Sequence, residues 1–217
     1  MLPHGDAPIH RGVSTANFLF LKMQNLSSDN EIYKNKYRIP STRMANWDYS
    51  SHGLYYVTIC TLNRIPYFGE IISRRDVAGP ETPRCIGASL QPTPLGEIAV
   101  ACRKEIPNHF PFVGLDDFVI MPNHIHGILF INNPHKEDWI KNKFGPQSKN
   151  LGSVIRGFKA AVKTYATKND IDFGWHPRYY DHVIRTEKEY LAIGGYIVNN
   201  PNEWLQNGDN EDNIFRP

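Results

Sequence analysis

The sequence predicts an α+β domain built on a mainly antiparallel sheet. Three observations carry this. Its apolar stretches follow the order strand, helix, two strands, helix, strand, helix. The two middle strands are separated only by Pro122 and Asn123, as in a hairpin. No segment repeats. At 217 residues the chain suffices for one substantial core and falls short of two full domains. The expected organisation is an N-terminal extension or basic arm over 1–43, a core domain over 44–205 and an acidic tail over 206–217.

The first forty-odd residues show no sustained period and then turn basic through Lys34, Lys36, Arg38 and Arg43, which is why they read as an arm; Met23 is a second candidate start. The core is expected to begin at Leu54, where L-Y-Y-V-T-I-C-T-L is rich in β-branched and aromatic residues and bounded by turn formers. Between Ser73 and Pro94 four prolines and several charges predict a surface loop without regular structure. A helix should follow from about Leu95 to His109. Phe118 to Met121 and Ile125 to Ile131 predict the two middle strands. Asn132 to Asn150 reads as a second long loop, of a length that is usually functional or mobile. A helix is expected over Leu151 to Lys168 and a strand over Tyr179 to Arg185. Thr186 should open a last helix, because T-E-K-E places Glu189 three residues after a threonine cap. Asp209, Glu211 and Asp212 mark a frayed acidic tail.

Composition excludes several classes. A hydrophobic share of 41% and a charged share of 21% are ordinary for a globular protein. No apolar run approaches the ~20 residues that cross a bilayer, and the first residues carry no secretory pattern, so the cytoplasm is the expected compartment. Cys60, Cys85 and Cys102 form no C-x-x-C pair and are expected to be reduced and structurally ordinary. A net charge of +2 provides no global basic field, so any nucleic-acid surface must be local.

The strongest local signal is P-N-H-I-H-G. Alternate residues of a strand share a face, so His124 and His126 can meet one ion while Ile125 points the other way. The same pattern also describes two buried histidines satisfied by hydrogen bonds. On the last helix Tyr196 and Asn200 are four residues apart and share a face, which would set a nucleophile beside a ligand; taken alone, a core tyrosine and a helix-ending asparagine are the commoner meaning. Pro201 biases Asn200 away from helical angles, which leaves Asn199 as the alternative ligand. Gly194 and Gly195 should each cost about 1 kcal/mol relative to alanine in a helix. They either let the tyrosine segment swing or pack closely on the sheet. Arg156, Lys159 and Lys163 fall within about 60° of one another around their helix, opposite Ile155, Phe158, Val162 and Tyr165. A face with so few acidic partners suits phosphate contact, as does the arm with Arg38 and Arg43, although a solvated charged face is the commoner meaning. Trp175, Tyr179 and Tyr180 are candidates for stacking on bases or for core packing.

These residues resemble the REP-associated tyrosine transposases, a branch of the single-strand insertion-sequence transposases with an HUH motif. The likeness runs from about Tyr37 to Trp204. It is carried by R-I-P-S-T-R, W-D-Y-S, L-Y-Y-V-T-I-C-T, Y-F-G-E-I, V-I-M-P-N-H-I-H-G-I, F-K-A-A-V, Y-Y-D-H-V-I-R and Y-I-V-N-N-P. The resemblance implies a ferredoxin-like fold, metal ligands at His124 and His126, a third at Asn200, and Tyr196 as nucleophile. Two positions depart from the family pattern: Gly195 stands where a longer side chain is expected, and His176 follows Trp175 where a glutamine is expected.

The implied activity is metal-dependent cleavage and rejoining of single-stranded or hairpin DNA through a 5′-phosphotyrosine, using Mg or Mn and no nucleotide cofactor, by a monomer or homodimer. A tyrosine with an ordinary pKa of ~10 needs help to lose its proton, and the sequence names no base. Two other readings are a DNA- or RNA-hairpin-binding protein that does not cleave and, more remotely, a metallohydrolase unrelated to DNA.

Overall fold

The computed structural model describes residues 44, 47–73, 87–133 and 148–207. Strand β1 (Gly53–Cys60) leads through a 3-10 turn (Leu62–Arg64) into β2 (Gly69–Ser73) and β3 (Ala88–Pro92), followed by helices α1 (Pro94–Lys104) and α2 (Ile106–His109). Then come β4 (Val113–Ile120), β5 (His124–Ile131), α3 (Leu151–Lys168), β6 (Tyr180–Ile184) and α4 (Glu187–Asn207). The main sheet has the order β4-β5-β1-β6 and each neighbouring pair is antiparallel. Without the β2–β3 hairpin, the chain is a β-α-β-β-α-β unit with its second and fourth strands at the edges, which is the ferredoxin-like arrangement.

The pleat divides the strands between two cores. Tyr55, Val57 and Ile59 of β1 join Ile125, Leu129 and Ile131 of β5 on one face, under Leu95 and Ala99 of α1 and Val154, Ile155, Phe158 and Val162 of α3. Leu54 and Tyr56 join Ile128 and Ile184 on the other, under Ile193 and Ile197 of α4. A one-residue slip of any strand would exchange these sets, so burial on both faces fixes the register.

The helix ends follow local chemistry. Asn150 caps α3 by accepting from Ser153 N at 2.9 Å while Ser153 Oγ accepts from Asn150 N at 3.0 Å. Thr186 Oγ1 accepts from Glu189 N at 3.2 Å and starts α4, in line with the T-E-K-E signal. The single helix expected from Leu95 to His109 is instead two, α1 and α2, broken at Glu105. Pro107 explains the break: it has no N–H to donate, and in a continuous helix its ring would meet the carbonyl one turn earlier.

The expected surface loop from Ser73 to Pro94 also needs correction, since Ala88–Pro92 forms a strand paired with β2. Its prolines punctuate this segment without abolishing it: Pro92 ends the strand and Pro94 occupies the first turn of α1. Ala88 N donates to Asn202 Oδ1 at 2.8 Å, which ties this hairpin to α4. Strand β4 starts five residues earlier than expected, with an irregularity between Leu115 and Phe118 where Asp116 and Asp117 sit. Among the described residues no helix is long and apolar enough to cross a membrane.

Candidate functional site

The same pleat that buries Ile125 under α1 and α3 turns His124 and His126 toward α4, where they are 4% and 0% exposed. Their rings lie 4.6 Å apart at 71°. Above them α4 presents Tyr196, Asn200 and Trp204 on successive turns, since residues four apart share a helical face. Tyr196 OH shares a 3.2 Å hydrogen bond with His126 Nε2. The Asn200 side chain is buried and hydrogen-bonds with the His124 ring, and the Trp204 ring lies 5.9 Å from that ring. The helix continues through Pro201, so Asn200 keeps its place on the inner face despite the proline after it. Asn199, the alternative ligand, is exposed and donates to Glu203 Oε1 at 2.8 Å.

Each imidazole is also held from behind. His126 Nδ1 lies 2.9 Å from both Tyr56 OH and Thr58 Oγ1, and Thr58 Oγ1 donates to Tyr56 OH at 3.1 Å. Two tautomers fit this triangle: Nδ1–H donated to the Thr58 oxygen leaves the Nε2 lone pair facing Tyr196, and Tyr56 O–H donated to Nδ1 puts the ring hydrogen on Nε2. His124 Nδ1 lies 2.7 Å from Asn123 Oδ1, and Asn123 Nδ2 donates to the carbonyl of Arg64 at 3.0 Å.

Burial and then the charge of Arg64 bring the His124 pKa down to about 3, against a hydrogen bond with Asn200 that raises it. Burial, with His124 and Arg64 adding to it, also holds His126 well below the usual histidine range. Both rings are therefore neutral near pH 7, the state in which imidazole donates a lone pair to a metal. Among the described residues no three His, Cys, Asp or Glu side chains gather into a metal-holding group. A third protein ligand here would be an amide oxygen, and Asn200 is placed to supply it. Two neutral imidazoles, each supported at Nδ1 by an oxygen, have the form of metal ligands with their supporting partners. Two imidazoles and an amide oxygen are donors that would suit a divalent ion.

The predicted residues His124, His126, Tyr196 and Asn200 thus come together, and the basic residues do not join them. Arg38 and Arg43 lie outside the described residues, as does Cys85. Helix α3 packs on the opposite face of the sheet from α4. Lys159 Nζ donates to the carbonyls of His176 at 2.8 Å and Arg178 at 3.0 Å, and Lys163 Nζ donates to the carbonyl of Phe173. Burial lowers the Lys159 pKa to about 8. On α3 two of the three basic residues thus tie down the segment before β6, and Arg156 is exposed. Trp175 and Tyr179 pack against the larger core, and Tyr180 meets Tyr56 edge-on at 6.1 Å, so these aromatics serve packing. His176 is exposed, with Nδ1 accepting from Arg178 N at 3.4 Å, and stands apart from the cluster.

The two glycines differ. A Cβ on Gly194 would lie 2.7 Å from Asp117 Oδ2, whereas one on Gly195 would meet nothing within 4 Å. Close packing accounts for the first alone. Sequence reasoning passed over Tyr56, Thr58, Asn123, Trp204 and Arg64. The signals available were Thr58 as a polar residue inside an apolar strand and Trp204 as the next residue in the four-residue series from Tyr196.

No family model matches the chain. A Haemophilus influenzae protein described as uncharacterized is 38% identical over 180 residues, covering 76% of this chain and 89% of its own. A solved structure of a REP-associated tyrosine transposase bound to a REP hairpin aligns with a TM-score of 0.46 and 17% identity, covering 74% of this chain and 73% of that one. A putative transposase from Deinococcus radiodurans R1 aligns at 0.36 with 14% identity over 72% of this chain and 95% of its own. Both scores describe a likeness too loose to transfer a residue's role.

Proposed function

The chain belongs to the family of that Haemophilus influenzae protein, and from its histidine–tyrosine cluster we propose that it cleaves and rejoins single-stranded or hairpin DNA through Tyr196. The observation that carries this reading is the 3.2 Å contact between the Tyr196 hydroxyl and Nε2 of buried His126, with His124 and Asn200 alongside. A tyrosine kept only for packing has no need of an imidazole nitrogen whose other side is already supported by two hydroxyls. The HUH-type sequence blocks independently support the same role.

In this reading His124, His126 and Asn200 hold a divalent ion, Mg or Mn. When bound, the ion supplies positive charge against the scissile phosphate. Nε2 of His126 has one lone pair and serves either the phenol hydrogen or an ion. Tyr196 leaves its hydrogen bond when that nitrogen is engaged elsewhere, and its oxygen is then free to approach phosphorus in line with the departing group. A bond forms from the tyrosine oxygen to phosphorus as the bond from phosphorus to the 3′-oxygen breaks. The phenol gives up one proton and the leaving oxygen takes up one, so none is gained or lost overall. The product is a 5′-phosphotyrosine with a free 3′-hydroxyl. Because the phosphoester is retained, attack by a second 3′-hydroxyl reverses the step without a nucleotide cofactor.

Incubating the protein with a single-stranded hairpin oligonucleotide and manganese tests this. Wild type should form a denaturant-resistant protein–DNA adduct, and Tyr196→Phe should bind the DNA without forming it. An adduct from Tyr196→Phe would remove Tyr196 from the role, and wild type that binds hairpins without any adduct would leave a binding protein on the same scaffold.

A further inference from the structure

Arg64 is the group beside the cluster that the reaction above does not use. It closes the 3-10 turn after β1 and adopts φ of 56°, next to Asn63 at 53°. Two consecutive non-glycine residues in the left-handed region are strained, and such strain persists only where the surroundings impose it. Here they do. Asn123 Nδ2 donates to the Arg64 carbonyl at 3.0 Å while Asn123 Oδ1 lies 2.7 Å from His124 Nδ1, so one side chain holds the backbone at Arg64 beside the His124 ring. The one hydroxyl hydrogen of Thr61 is shared between the Ile65 carbonyl at 2.8 Å and the Asn123 carbonyl at 3.0 Å, and Thr61 N donates to the Asn123 carbonyl at 2.9 Å, which ties the turn to the start of β5.

Arg64 is half-buried, and among the described residues no carboxylate pairs with it. A partly desolvated guanidinium without an acidic partner is an open site for an anion, and its planar donor fork suits phosphate oxygens. Its charge reaches both imidazoles, since it contributes to the lowering of each. A guanidinium beside two neutral rings brings a positive charge without a negative one to balance it, which a phosphodiester would supply.

We propose that Arg64 is an anion-binding residue of this cluster, receiving a non-bridging oxygen of a phosphodiester beside His124. The identity of the anion rests on the DNA reading above; the site itself rests on the strapped turn and the unpaired guanidinium. Arg64 would both anchor the strand and oppose charge that grows on the phosphate during attack.

The test compares wild type, Arg64→Gln and Arg64→Lys, each with an unchanged melting temperature, on a single-stranded hairpin oligonucleotide. Affinity is followed by fluorescence anisotropy over a salt series, and adduct formation by the manganese assay. Removing one phosphate contact should reduce the slope of log affinity against log salt by about 1 in Arg64→Gln. Arg64→Lys should keep the wild-type slope because the charge remains. The adduct rate should fall on the order of 100-fold in Arg64→Gln, the scale for losing one preorganised donor at developing charge. A wild-type slope and rate in Arg64→Gln overturn the site while leaving Tyr196 as nucleophile. A reduced slope in a protein that forms no adduct supports the site and removes the cleavage reading.

Discussion

The two faces of the sheet are made by the same strands and do opposite things. Beneath α1 and α3, Tyr55, Val57, Ile59 and Ile125 close an apolar core. Beneath α4, their immediate neighbours Tyr56, Thr58, His124 and His126 form a buried hydrogen-bonded polar cluster. The difference teaches that stability and chemistry are separated by residue parity. The larger apolar face can bear the cost of burying polar groups on the other, because a polar cluster that is fully hydrogen-bonded loses little relative to water.

The separation can be broken from either side. On the apolar face, Phe158→Ala should lower the unfolding free energy by about 3–5 kcal/mol in a denaturant titration. It should leave adduct formation per folded molecule unchanged, and a selective loss of activity would show that the faces are not independent. Acid probes the other face. Both histidines have folded-state pKa values below the unfolded value of ~6.5, so the unfolded chain binds their protons first as pH falls. Their contribution is present above pH ~6.5 and is lost below it, at a rate of up to about 1.4 kcal/mol per histidine for each pH unit, until the folded pKa is reached. Melting temperatures between pH 7 and pH 4 should show this loss. A His124→Gln, His126→Gln double variant should flatten it, and an identical acid limb in that variant would assign the loss to other groups. The smallest effect sharpens the comparison within α4. Gly194→Ala meets Asp117 Oδ2 and should destabilise by about 1–3 kcal/mol, whereas Gly195→Ala, with open space around it, should stabilise by up to about 1 kcal/mol. Equal shifts in thermal melts would show that Asp117 simply moves aside.

Much of this was legible in periodicity. Helix α3 was readable because Leu151, Val154, Ile155, Phe158 and Val162 keep one face apolar for its whole length, and the histidine pair because strand alternation forces both rings to one side. The β2–β3 hairpin was hidden by its short strands and by prolines that mark its end without revealing a strand before them. In β4 the adjacent Asp116 and Asp117 interrupt the apolar pattern at an irregularity that alternation cannot register. The site's outer members were hidden for a different reason. Tyr56 and Tyr196 reach opposite nitrogens of His126 from 70 residues away on either side, and the left-handed turn at Arg64 depends on an asparagine 59 positions later. Such partners are chosen by topology, which a local pattern does not encode. The basic stripe on α3 was visible, but the carbonyls that engage its lysines belong to an irregular segment with no period.

Helix α4 carries Tyr196, Asn200 and Trp204 on one unbroken rod and is fastened to the β2–β3 hairpin through Asn202. The proposed nucleophile and the proposed ligand therefore ride on the same helix. A tilt of the rod would move both relative to the histidines at once. The hairpin, remote from the imidazoles, becomes the handle of that lever.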